Sequence, residues 1–130
     1  MKIIGLSEVD DTVTKPCIIT PYFIVHAISG YWLASLIHTY FPSNKHQLLW
    51  VVLLHSIYEL KDLYVSYVLK YRNVYTDNSW WNTIGDTIAA ILGFYIYKTT
   101  PLSFKMSTVV FFIVGAIGAI LHPDTRKLKS

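Results

Sequence analysis

A few titratable side chains in this sequence lie inside otherwise apolar stretches, and their spacing places them on helical faces. His55, Glu59, Asp62 and Ser66 follow one another at i, i+4, i+7 and i+11, which lays all four on one helical stripe. Asn82, Asp86 and Gly93 fall at i, i+4 and i+11 and share a second stripe. His26 stands nine residues into a third apolar stretch, with Ser29 and Gly30 beside its face one turn on. Carboxylates and imidazoles gathered away from water cannot all carry charge alone. They hold protons, pair with Arg72 or Lys61, or bind a cation.

The elements that must position these groups read as membrane spans. Only 15% of the 130 residues are charged against 53% hydrophobic, whereas a soluble domain carries about 25% Asp, Glu, Lys and Arg. With 10 Tyr, 6 Phe and 4 Trp the chain is no disordered tail, and Cys17, its sole cysteine, permits no internal disulfide. A net charge of +3, scattered along the chain, argues against a nucleic-acid partner. Crossing a bilayer takes about 20 mostly apolar residues. That length predicts four spans, at 17–41, 47–68, 81–97 and 102–121, the last with Lys105 reaching back to the interface. The expected architecture is therefore all-α, a single polytopic membrane domain over residues 1–130 with short tails at 1–16 and 122–130, and with the lipid bilayer as its main partner.

The balance of Lys and Arg sets the expected orientation. Lys2, Lys15, Lys70, Arg72, Arg126, Lys127 and Lys129 fall on one side, and Lys45, Lys98 and Lys105 on the other, which predicts both termini in the cytosol. The first 16 residues mix acidic and basic groups and do not read as a secretory signal. Counted at 1.5 Å per residue, Asp62 and Asp86 lie one to two turns inside the cytosolic interface, with His26 near their level. The same counting places His55 toward the outer leaflet and Arg72 at the cytosolic mouth. The expected site is thus Glu59, Asp86, Asn82, Asp62, His26, His55 and Arg72. Read as structure alone, the two histidines are interhelical hydrogen-bonding groups and the carboxylates are paired within the bundle. His38 and His46 are expected at the outer boundary.

The string His26-x-x-Ser29-Gly30, His55-x-x-x-Glu59, Tyr71-Arg72, Asp77-Asn78-Ser79, Asn82-Thr83-Ile84-Gly85-Asp86 and Gly93-Phe94 resembles small polytopic membrane proteins of the VanZ-like type and related bacterial and viral membrane families. The resemblance covers Tyr22 to Tyr95. This chain has one extra residue between Asp77 and Asn82, and Asp62 where a VanZ-like chain more often has Gln. The resemblance implies a four- or five-helix membrane bundle whose polar residues mark an internal site. It implies no agreed reaction, although VanZ itself is associated with glycopeptide tolerance at the cell envelope.

The functional expectation is a multi-pass membrane protein whose His/Glu/Asp/Asn site binds a small ligand, cation, proton or lipid headgroup. A structural or scaffold protein of a cellular or virion membrane is the alternative. No phosphate-binding loop, nucleophile elbow, H-E-x-x-H or CxxC is present, so no reaction, catalytic residue, metal or cofactor is assigned, and binding is expected rather than catalysis. Haem ligation by His26 and His55 is disfavoured by their unequal counted depths. Gly115 and Ala119 form a small-residue face on the fourth span, suited to helix packing, to a second copy or to a membrane partner.

Overall fold

The computed structural model describes residues 2–4, 17–19, 23–64 and 80–120. Four helices make up most of it: α1 (Phe23–Tyr40), α2 (Gln47–Leu63), α3 (Trp80–Thr99) and α4 (Phe104–Ile120). Two short strands, β1 (Lys2–Ile4) and β2 (Cys17–Ile19), pair in parallel with Lys2 opposite Cys17 and Ile4 opposite Ile19. The all-α expectation holds for the bulk of the described residues. Its first boundary does not, because the apolar stretch from Cys17 begins as a strand and the helix starts only at Phe23. Ile18, Ile19 and Thr20 are β-branched and Pro21 follows them, and apolarity alone cannot tell a short strand from the start of a helix. The third and fourth helices lie within two residues of the expected limits at each described end. The expected extension of α2 to Val68, and the 69–79 loop with Arg72, lie outside the described residues.

The helix ends follow local chemistry. Phe41 N–H donates to Ile37 O at 2.7 Å, and Pro42 then stops α1 because it has no N–H and disfavours helical backbone at Phe41. In the turn, His46 N–H donates to Asn44 Oδ1 at 2.7 Å, an Asx turn. Buried Gln47 donates to Phe41 O at 3.3 Å and accepts from Lys98 Nζ at 3.4 Å, joining the start of α2 to the end of α3. The Thr99 and Thr100 hydroxyls each donate to Ile96 O at 3.0 Å and occupy a carbonyl of the last turn. Ser103 Oγ caps α4 by accepting from Met106 N–H at 3.2 Å.

Contacts advance along α1 and α3 in the same direction, from His26 beside Asp86 to His38 beside Tyr97, so these two helices run parallel. α1 also meets α2 and α4, and so lies at the centre of the bundle. Its contact with α3 is backbone against backbone. A Cβ on Gly30 would collide with the Ala90 carbonyl, and one on Gly93 with the Ala27 carbonyl and with Tyr31 N. Gly85 meets the Ile18 carbonyl of β2 in the same way. The α1–α4 contact is aromatic: Trp32 stacks on Phe111 at 4.9 Å and donates from Nε1 to Thr108 Oγ1 at 3.0 Å. Tyr31 locks the α3–α4 turn by donating to Thr100 O at 2.6 Å and accepting from Leu102 N–H at 2.9 Å.

Beside an apolar core of Ala34, Ile37, Val51, Phe94 and Tyr97, the bundle buries polar groups and leaves many apolar ones outside. His55, Glu59, Asp86, Ser35, Gln47 and Ser107 are buried, while Leu49, Ile57, Ile88, Phe112, Ile117 and many other large apolar side chains are exposed. Among the described residues no helix is long and apolar enough to cross a membrane. Of the small-residue face expected on α4, Gly115 is open among the described residues: a Cβ there would meet nothing within 4 Å. The helices approach that closely through Gly30 and Gly93 instead, because there both partners are backbone.

The contrast makes a direct prediction. Gly30→Ala or Gly93→Ala should destabilise the bundle by about 1–3 kcal/mol through overpacking. Gly115→Ala should be neutral or stabilising, by up to about 1 kcal/mol, through helix propensity. Thermal unfolding followed by circular dichroism, with all three variants behaving alike, would contradict this packing.

Candidate functional site

Three helices each deliver part of one cluster. His26 lies in the first turn of α1, one turn before Gly30, and Asp86 lies one turn before Ala90 on α3. The close Gly30–Ala90 contact therefore draws the His26 and Asp86 side chains together. From α2, His55 and Glu59 project on one face at i, i+4. His26 Nε2 lies 3.1 Å from Asp86 Oδ2. His26 Nδ1 lies 3.1 Å from His55 Nε2 and 3.4 Å from Glu59 Oε1, and His55 Nε2 lies 3.5 Å from the same Glu59 oxygen. The two imidazoles meet edge to face, 5.4 Å between centroids and 81° between planes.

The environment sharpens what these distances mean. The Glu59 and His55 side chains are 1% and 2% exposed and that of Asp86 is 3% exposed, whereas His26 retains 19% and forms the open side. Ionised, the two carboxylates would bring a formal charge of −2 into a low-dielectric interior, which requires compensation by protons or a cation. In the tautomer with Nε2–H facing Asp86 Oδ2, 3.1 Å away, His26 Nδ1 would keep its lone pair on the side of His55 and Glu59. His55 Nδ1 is buried and has no hydrogen-bond partner among the described residues. Three potential ligand atoms, His26 Nδ1, His55 Nε2 and Glu59 Oε1, thus lie within 3.5 Å of one another.

Of the seven residues expected at the site, the structure brings together His26, His55, Glu59 and Asp86. Asp62 and Asn82 lie on α2 and α3, with side chains outside the described residues, and Arg72 lies outside them entirely. The depth expected for His55 is corrected: it stands at the level of His26, in direct contact with it. That changes the argument against haem. Axial nitrogens on opposite faces of one iron are about 4 Å apart at bonds of about 2 Å, with the macrocycle between them, whereas these two are 3.1 Å apart. The structural expectation of an interhelical histidine contact is met in the same pair. Lys61 is exposed, with Nζ 4.5 Å over the Tyr58 ring, and His38 and His46 are exposed. Sequence reasoning missed Tyr31, which clamps the α3–α4 turn. Its only sequence signal is a tyrosine one residue past Gly30.

Asp86→Ala removes a buried carboxylate lying 3.1 Å from His26 Nε2 and should cost about 1–3 kcal/mol. Lys61→Ala, an exposed change, should stay within about 0.5 kcal/mol of wild type. Equal unfolding midpoints for the two variants would mean that the His26–Asp86 contact is not formed. The chain matches no family model, and no curated protein or solved structure is similar to it.

Proposed function

We propose that this protein is a multi-pass membrane bundle whose buried His26–His55–Glu59–Asp86 cluster binds a cationic species, a proton or a metal ion, within the bundle. The observation that carries the reading is the burial of polar groups: acidic and imidazole side chains inside, many large apolar side chains outside. A soluble monomer rarely exposes contiguous apolar surface on this scale, whereas a bilayer solvates it. Titratable groups facing the interior of such a bundle are functional by default because lipid disfavours them everywhere else. The charge asymmetry supports cytosolic termini, and the resemblance to VanZ-like proteins supports a place in a cell-envelope or virion membrane.

The scaffold reading has its own observation. On α4 Gly115 is open with exposed Phe112 one turn before it, and exposed Ile113 and Ile117 line the other side of the helix, apolar surface suited to packing against a second copy or a membrane partner. Cross-linking through this face with no response of the buried cluster to any cation would favour it.

Under alkaline carbonate extraction the chain should stay with the membrane pellet; release to the supernatant would overturn the membrane reading. In detergent, the unfolding temperature should respond to pH or to at least one of Na⁺, Ca²⁺ and Zn²⁺. Glu59→Gln and Asp86→Asn should cancel that response without loss of membrane insertion. Wild-type behaviour of both variants under every condition would reduce the cluster to a structural role.

A further inference from the structure

We infer that His26, His55 and Glu59 form a three-ligand centre for a divalent first-row transition metal, zinc by its geometry, with Asp86 as the outer partner that orients His26. The inference rests on the cation-binding reading of this cluster and names the cation.

The geometry carries it. A tetrahedral ion with bonds of about 2.0–2.1 Å to nitrogen and oxygen holds its ligand atoms about 3.3–3.4 Å apart. The three edges here are 3.1, 3.4 and 3.5 Å, so the three atoms outline one face of such a tetrahedron. The donors are two imidazole nitrogens and one carboxylate oxygen. That set suits zinc and its neighbours and not calcium or magnesium, which take all-oxygen shells.

The surroundings agree independently. A metal-bound imidazole usually donates its other N–H to a carboxylate, which fixes the tautomer and strengthens the ligand. His26 has a carboxylate so placed: Nε2 lies 3.1 Å from Asp86 Oδ2, while Nδ1 lies 3.1 Å from His55 Nε2 and 3.4 Å from Glu59 Oε1. Glu59 and His55 are held in the interior, and His26 is the least buried of the three. Among the described residues three side chains supply ligands, which leaves a fourth coordination position, as in zinc sites that bind water or substrate.

The test uses the full chain, purified without a histidine tag in detergent, stripped with a chelator and dialysed against Zn²⁺ or Co²⁺ alone. One ion per chain is expected, with the visible absorption of four-coordinate cobalt and a zinc X-ray absorption spectrum that counts two imidazoles. His55→Ala and Glu59→Gln should weaken binding by more than the roughly 10- to 100-fold expected for Asp86→Asn. His38→Ala and His46→Ala, at exposed positions, should leave it unchanged. Circular dichroism checks that each variant keeps its helices, and the imidazole count on wild type needs no variant at all. No Zn²⁺ or Co²⁺ retained by helical wild-type protein, or bound zinc with fewer than two imidazoles, overturns the inference. If such protein still responds to protons or Ca²⁺ in its unfolding temperature, the broader cation-binding reading stands without it. Loss of both responses removes both.

Discussion

The rest of this structure depends on the closeness of α1 to α3. Gly30 and Gly93 let the two backbones touch Ala90 and Ala27 directly, with no room for even one added carbon. Such contacts replace side-chain interdigitation with dispersion between main chains, the packing mode that serves helices when water does not drive them together. They also set register. Once Gly30 rests against Ala90, the residues one turn earlier, His26 and Asp86, have little choice but to meet.

That register converts three helices into one site. His26 is gripped through both ring nitrogens, by Asp86 from α3 on one side and by the His55–Glu59 pair from α2 on the other. A buried polar network of this kind is favourable only when its members satisfy one another, so it specifies how the helices sit as much as it stabilises them. At the opposite end of the bundle the Gln47–Lys98 contact and the Tyr31 clamp on the α3–α4 turn hold the same helices in line. The polar interior and the apolar exterior are two consequences of a single arrangement.

Much of the site was legible along the chain, since His55 with Glu59, and Asp86 on its own stripe, follow from helical periodicity. The level of His55 was not. From His26 to Tyr40 along α1 is 14 residues, and from Gln47 to His55 along α2 is eight. At 1.5 Å per residue that difference amounts to about 9 Å. Counting assumes upright helices with level ends, an assumption the 3.1 Å between the ring nitrogens shows does not hold here. The small-residue signal on α4 did not point to the close α1–α3 contact at Gly30 and Gly93. Gly115 and Ala119 have the spacing of a packing face, but spacing does not say which partner backbone lies opposite.

By itself the sequence determined the helical class, the approximate extent of α3 and α4, and the faces that carry the titratable groups, because periodicity and apolarity are local properties of the chain. Only the tertiary structure decided that Cys17–Ile19 pairs as a strand, that Gly30 and Gly93 make the closest helix contact, and that two histidines and a glutamate from two helices converge within coordination distance while Asp86 holds one of them from a third. Those are relations between segments far apart in sequence, and they exist only once packing has fixed the tilt and register of one helix against another.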